Sequence, residues 1–117
     1  MSDISIEQLR QKISDFAAAR DWDQFHSPKN LSMAMIVEAA ELVEHFQWLT
    51  EEQSQSLADD KRAEVENELA DIFVYLIRMA DKLDIDLLDA ANKKLKINAE
   101  KYPVDKVRGS AKKYTEY

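Results

Sequence analysis

Glycine and proline are almost absent from this chain, and their distribution limits what it can fold into. Pro28 and Pro103 enclose 74 residues that contain neither residue type, and the chain's single glycine is Gly109. A β-sandwich or a glycine-loop nucleotide fold needs many turns, and turns depend on these residues. With 117 residues, of which 45% are hydrophobic, the chain is long enough to bury a core. We therefore predict a single all-α domain over residues 1–117.

The spacing of hydrophobic residues predicts four main helices joined as a four-helix-type bundle. Asn30 is a candidate N-cap for the second helix, and Asp86 is one for the fourth. A polar linker over residues 50–58 has room for one helical turn, and residues 103–117 are expected to form a basic tail. The predicted helices cover about residues 5–20, 30–49, 59–83 and the segment that follows Asp86.

Composition and charge exclude several classes of function. The chain has no cysteine and two histidines, so disulfides, thiol catalysis and cysteine-based metal sites are ruled out, and any metal would need oxygen ligands. Residues 93–117 carry eight Lys/Arg against three Asp/Glu, whereas the whole chain has a net charge of −7. The acidic body argues against a duplex nucleic acid partner, while the basic tail suits a small, highly charged anion. The sequence has no apolar run of membrane-spanning length and no apolar leader, so we expect a cytoplasmic protein.

Four carboxylates occur in segments that are otherwise apolar. Glu38 and Glu41 stand one helical turn apart, and Glu68 and Asp71 repeat that spacing. In an antiparallel hairpin, facing residues have residue numbers with a constant sum. Glu38 with Asp71 and Glu41 with Glu68 both add to 109, and the midpoint of each pair falls inside the polar linker. We therefore predict an antiparallel helical hairpin with four carboxylates facing across one seam.

Four like charges in apolar surroundings need a compensating charge. Because basic residues are scarce in these segments, the simplest compensation is Mg²⁺, which takes oxygen ligands and often completes its shell with substrate phosphates. A plainer alternative is that the carboxylates belong to ordinary solvated helix faces. A di-iron bundle would require paired Glu-x-x-His motifs, and the sequence has none.

Together these residues resemble a known family. The two carboxylate pairs are similar to the metal motif of the all-α nucleoside triphosphate pyrophosphohydrolases, the MazG-like superfamily. The resemblance covers about residues 6–115. Four further strings resemble its dCTP pyrophosphatase branch: RDWDQFH at 20–26, FQW at 46–48, KYPV at 101–104 and GSAKKYT at 109–115.

The resemblance implies an enzyme and an assembly. The implied reaction is hydrolysis of a dCTP-like (deoxy)nucleoside triphosphate to the monophosphate and pyrophosphate. The four carboxylates, Glu38, Glu41, Glu68 and Asp71, are implied to hold Mg²⁺, and one of them is implied to act as general base. A homo-oligomer, tetramer or dimer, with sites shared between subunits is also expected, because two such apolar helices exceed what one hairpin can cover.

Substrate contacts follow from the resemblance and partly from position. Trp22 and Trp48 are implied at the base or sugar, and Trp48 also continues the stripe of Glu38 and Glu41 if the second helix reaches Leu49. From position alone, Tyr75 stands one turn beyond Asp71 and could contact the sugar. Without the resemblance, the tryptophans could equally be core residues, and Tyr75 would be assigned to the edge of the core. The other implied contacts are His26 near the nucleotide and, for the triphosphate or its support, Asn98, Lys101 and Tyr102.

A non-enzymatic function competes with this hypothesis. The chain could be a helical interaction module whose acidic faces bind a basic partner. Such a module predicts no stabilisation by divalent metal and no response to nucleotides, so thermal unfolding with both ligands separates the two hypotheses.

Overall fold

Helices account for the regular structure of this chain, as the sequence predicts. The computed structural model describes residues 3–111, 113 and 115, and within them there is no strand. The all-α class is therefore confirmed. A short 3₁₀ helix covers Asp23–Phe25, and the α-helices are α1 (Ile6–Ala19), α2 (Pro28–Glu44), α3 (Glu51–Ser54), α4 (Asp59–Lys82), α5 (Leu87–Lys101) and α6 (Val104–Val107).

Side-chain caps mark the starts of four of the α-helices, namely α1, α2, α3 and α5. Asp86 caps α5 as predicted, since its Oδ1 accepts from the Asp89 amide at 3.0 Å. The predicted cap of α2 is wrong: Ser27, not Asn30, is the N-cap, and its Oγ accepts from the Asn30 amide at 3.1 Å. The physical reason is Pro28, which occupies the first helical position, where its fixed φ suits a helix and its missing N–H costs nothing.

The second helix ends at Glu44, which corrects its predicted end near Leu49. The chain turns over residues 45–49 because the amides of His45 and Gln47 bond back to the last carbonyls of α2. Thr50 then caps α3 in a reciprocal pair of hydrogen bonds with Gln53. As a consequence, Trp48 does not continue the carboxylate stripe; it stands in the turn, 87% exposed.

The core lies among α1, α2 and α4, which belong to one compact unit. Its buried apolar residues are Ala17, Leu31, Val65, Ile77 and Ala80. The helix α4 contacts α2 and α1. Near the end of α2, His45 Nδ1 lies 3.6 Å from Glu64 Oε2, a pair whose numbers also add to 109, so the predicted hairpin register is confirmed.

The chain divides into two compact units, with the boundary between Asp84 and Ile85. The second unit contains α5 and α6. The single-domain organisation therefore stays a prediction. None of the helices in the described ranges is long and apolar enough to cross a membrane.

Candidate active site

Three of the four predicted carboxylates meet between α2 and α4. Glu38 and Glu41 lie one turn apart on α2, and Glu68 faces them from α4, with one carboxylate oxygen of each within 4.8 Å of the others. All three side chains are half-buried. The fourth, Asp71, is more exposed and stands one turn further along α4. We call Glu38, Glu41 and Glu68 the carboxylate cluster.

Few positively charged groups lie near the cluster in the part of the chain that the structure describes. Burial, hydrogen bonds with Glu41 and Glu68, and the negative charges of Glu41 and Asp71 raise the pKa of Glu38 to about 7. His45 is close, but its Nε2 lies 3.7 Å from Glu68 Oε1, too far for a good hydrogen bond. Burial and the neighbouring carboxylates therefore both act against the ionisation of Glu38.

One oxygen of the cluster accepts no hydrogen bond within residues 3–111, 113 and 115. Glu68 Oε2 is buried, and no group among the described residues donates a hydrogen bond to it. An unsatisfied buried acceptor costs about 1–3 kcal/mol. Three carboxylates with an orphaned oxygen form a donor set that fits a hard divalent cation, so the residues present suit the metal that the sequence predicts.

A cavity of about 430 Å³ opens beside Asp71. It brings together four residues that the sequence associates with the site: Trp22, His26, Asp71 and Tyr75. The Trp22 ring meets the Phe16 ring edge to face at 5.7 Å between centroids, and lies 6.5 Å from His26. Aromatic walls with a few polar groups are typical of ligand sites. The full lining is Lys12, Ile13, Phe16, Ala17, Trp22, His26, Asp71, Val74, Tyr75 and Arg78.

The cavity is also lined by Arg78, Lys12 and Phe16, for which the sequence predicts no role in the site. Arg78 had left a signal, because residues 69–80 are apolar apart from Asp71 and Arg78. An isolated charge in such a segment is expected to have a buried partner. Lys12 and Phe16 left no comparable signal, because both fit an ordinary amphipathic helix.

The other predicted substrate residues lie outside this cavity. Trp48 stands in the turn after α2. Asn98 is half-buried on α5, Lys101 is the last residue of that helix, and Tyr102 is its C-cap. These three belong to the second unit, and their roles stay predictions. In the predicted tail, Lys112 and Tyr114 fall outside the described residues.

Known proteins are similar to this chain in both sequence and fold. A family model described as the MazG-like family matches residues 33–117. The chain is 42% identical over 114 residues to dCTP pyrophosphatase 1 of Mus musculus, covering 96% of this chain and 67% of that protein. The identity to dCTP pyrophosphatase 1 of Homo sapiens is 40% over 114 residues, with the same coverage. The crystal structure of a pyrophosphatase from Archaeoglobus fulgidus superposes with a TM-score of 0.81 at 33% identity, covering 88% of this chain and 96% of that one.

Proposed function

The chain belongs to the MazG-like family, and from that premise we propose that it hydrolyses a nucleoside triphosphate, dCTP or a close analogue, to the monophosphate and pyrophosphate in the cytoplasm. The observation that carries the proposal is the carboxylate cluster with its orphaned Glu68 Oε2. The cavity beside Asp71 supports it, because its aromatic lining suits a flat base.

The carboxylates are the proposed ligands of Mg²⁺. Glu38, Glu41, Glu68 and Asp71 would hold the ion, and the ion would supply positive charge to the phosphate oxygens of the substrate. Asp71 is included because its charge acts on Glu38 while its side chain lines the cavity. It therefore links the proposed phosphate end of the site to the proposed base end.

The base and sugar are proposed to occupy the cavity. Trp22 and Tyr75 offer aromatic surface to a flat ring, and His26 offers a ring nitrogen for a hydrogen bond. We propose that Lys101, Asn98 and Tyr102 contact the triphosphate or support its site, as the resemblance implies.

We further propose that the chain works as a homo-oligomer, a tetramer or dimer. Large apolar side chains are exposed on both helices that carry the cluster, and extended exposed apolar surface marks an interaction site. Trp48 would then meet the nucleotide at a site completed by a second subunit. The exposed residues are Met33, Ile36, Val37 and Val43 on α2, and Leu69, Phe73 and Leu76 on α4. Light scattering on the purified chain measures the state directly, and a monomer at working concentration would exclude it.

Pyrophosphate release across a panel of deoxynucleoside triphosphates, with and without Mg²⁺, tests the enzyme. We expect turnover with Mg²⁺ and a preference for dCTP. Glu41→Gln should abolish turnover and leave the helical circular dichroism unchanged. Glu44→Gln is the matched control, because Glu44 is exposed on the same helix outside the cluster. If no triphosphate is turned over, and Mg²⁺ with nucleotide gives no thermal stabilisation, the acidic interaction module is the better account.

A further inference from the structure

Arg78 is a buried charge that the proposed reaction leaves without a role. Only 4% of it is exposed. Its guanidinium donates from Nε to His26 Nδ1 at 3.1 Å and from Nη2 to Asp23 Oδ1 at 2.7 Å. A guanidinium is costly to bury unless its hydrogen bonds are made in good geometry. Both of these acceptors lie on the connector between α1 and α2, and Asp81 on α4 is a third, more distant ionic partner, with Oδ2 3.5 Å from Nη1. Arg78 therefore joins that connector to α4.

The bond to His26 determines which nitrogen of the imidazole carries the proton. An arginine side chain has five N–H donors and no acceptor, and it stays charged throughout the accessible pH range. Nδ1 of His26 must therefore be the acceptor and must lack a proton. A neutral imidazole has one proton, which then resides on Nε2. Donor chemistry alone assigns this tautomer.

The charges around His26 favour the same neutral form. Burial first, and then the positive charges of Arg78 and Lys82, lower the pKa of His26, while Asp23 opposes them. Asp23 cannot serve as counter-ion to His26 alone, because Arg78 and Lys82 both pair with it. Across the cavity, the titratable groups of the lining are Asp71 and Tyr75 from α4 and Lys12 from α1.

We infer that Arg78 is a positioning residue that holds His26 as the neutral Nε2–H tautomer, so that His26 presents one hydrogen-bond donor to the cavity. His26 lines the cavity, and within the part of the chain that the structure describes no group accepts a bond from Nε2. The matching ligand group is an acceptor without a proton, such as a base carbonyl oxygen or an unprotonated ring nitrogen. The choice of ligand rests on the proposed function, whereas the tautomer does not.

A fixed donor at His26 would distinguish between pyrimidine bases. Cytosine offers acceptors at O2 and N3, whereas the N3 of uracil and thymine carries a proton. If the base presents its N3 to His26, the fixed Nε2–H donates to the N3 of cytosine, whereas it would face the N3–H of uracil or thymine. Because the donor is fixed by Arg78, it cannot switch tautomer to suit the other bases.

The tautomer is measured on the intact wild-type chain by ¹⁵N NMR of the imidazole side chains. The chain has only two histidines, so comparison with the spectrum of a His45→Gln variant assigns the signals of both residues. We expect His26 Nδ1 to have the resonance of an unprotonated nitrogen and Nε2 that of a protonated one, from about pH 6 to about pH 8. A protonated Nδ1, a mixture of tautomers or a doubly protonated ring at pH 7 would overturn the inference. Because no nucleotide is needed, the result stands apart from the proposed function.

Two variants then connect the tautomer to binding. Arg78→Lys keeps the charge but loses the planar Nε donor, so His26 should become a tautomer mixture and the KM for nucleotide should rise about 3- to 10-fold with a smaller change in kcat. Arg62→Lys is the control, because Arg62 is exposed on the same helix about four turns before Arg78. In that variant the His26 spectrum and the KM should be unchanged. If Arg78→Lys lowers stability while the tautomer and KM stay as in the wild type, Arg78 is merely structural. Should that variant fail to fold, the wild-type spectrum still decides the tautomer.

Discussion

Replacing Glu38 by glutamine is expected to stabilise the metal-free protein and to remove its response to divalent cations. Glu38 lies in the cluster with Glu41 and Glu68, and its pKa is raised to about 7. Above pH 7 its carboxyl group is therefore ionised, although burial and the neighbouring carboxylates disfavour the charge. Glutamine has nearly the same shape, and its amide donates as a protonated carboxyl would. The substitution removes the repulsion and keeps the hydrogen bonds.

The size of this effect follows from the raised pKa. A pKa of about 7, against an ordinary 4.5, corresponds to about 3 kcal/mol. Because Glu38 is only half-buried, solvent screening reduces the gain to about 1–2 kcal/mol. For a chain of this length, this is about 3–10 °C in Tm.

The gain in stability from Glu38→Gln should also depend on pH, in a direction that the raised pKa determines. Since the folded pKa lies above the unfolded one, the folded chain binds more protons between about pH 4.5 and about pH 7. Wild-type stability contributed by Glu38 is therefore fully present below pH 4.5 and is lost as the pH rises through 7. The glutamine variant lacks this loss, so the two proteins should differ at pH 8 and converge near pH 4.5.

Thermal unfolding followed by circular dichroism measures these differences. The wild type, Glu38→Gln and the control Glu44→Gln are compared in chelator at about pH 4.5 and about pH 8, and then with added Mg²⁺. Glu44→Gln should behave as the wild type throughout. Added Mg²⁺ should raise the wild-type Tm at pH 8 and leave that of Glu38→Gln nearly unchanged. If Glu38→Gln is less stable than the wild type at pH 8 in chelator, or if its gain is as large at pH 4.5, the assignment of repulsion to Glu38 is wrong.

Four further outcomes test other parts of the structure. Ser27→Ala should lower the free energy of unfolding by about 1 kcal/mol in urea titrations, because it removes the cap of α2. Leu31→Ala should lower it by about 2–5 kcal/mol in the same assay, because Leu31 is fully buried. His26→Asn should make unfolding less sensitive to acid below about pH 6.5, since the lowered pKa of His26 means that the unfolded chain binds the extra proton there. Trp22→Ala should raise the KM for nucleotide about 5- to 100-fold if the ring stacks on the base.

The helical hairpin could be predicted because its signals are local and repeat. The third predicted helix, residues 59–83, matches α4 at Asp59–Lys82. The register follows from two carboxylate pairs with equal sums, and the contact of His45 with Glu64 obeys the same sum. A long segment without glycine or proline has few positions at which the chain can reverse direction, so the polar linker is the expected position of the turn.

The end of α2 was missed because apolar residues continue beyond it. Phe46, Trp48 and Leu49 keep the hydrophobic density high although the helix stops at Glu44. No glycine marks the end of the helix, so hydrophobic periodicity alone predicts a helix that is too long. The available signal was Thr50 followed by Gln53, the pattern of a capping box, which shows that a new helix begins there.

The hydrogen bonds between Arg78 and the connector could not be predicted from the sequence. Its partners His26 and Asp23 lie 52 and 55 residues away. No local pattern reports a bond over such a separation, because it depends on how α4 packs against the segment before α2. The sequence shows only that Arg78 is an isolated charge among apolar residues, and that its partner has to be sought elsewhere.

A single stripe of α4 organises both ends of the candidate site. Glu68, Asp71, Tyr75 and Arg78 recur at spacings of three, four and three residues, so they lie on one side of the helix over about 15 Å. Since one helix holds all four, the distance between the carboxylate cluster and the cavity is fixed by helical rise rather than by loop conformation. The cavity is also lined by His26, which lies on the connector before α2. Arg78 binds His26 and Asp23, and Lys82 binds Asp23, so the connector is held to the same helix that carries Glu68.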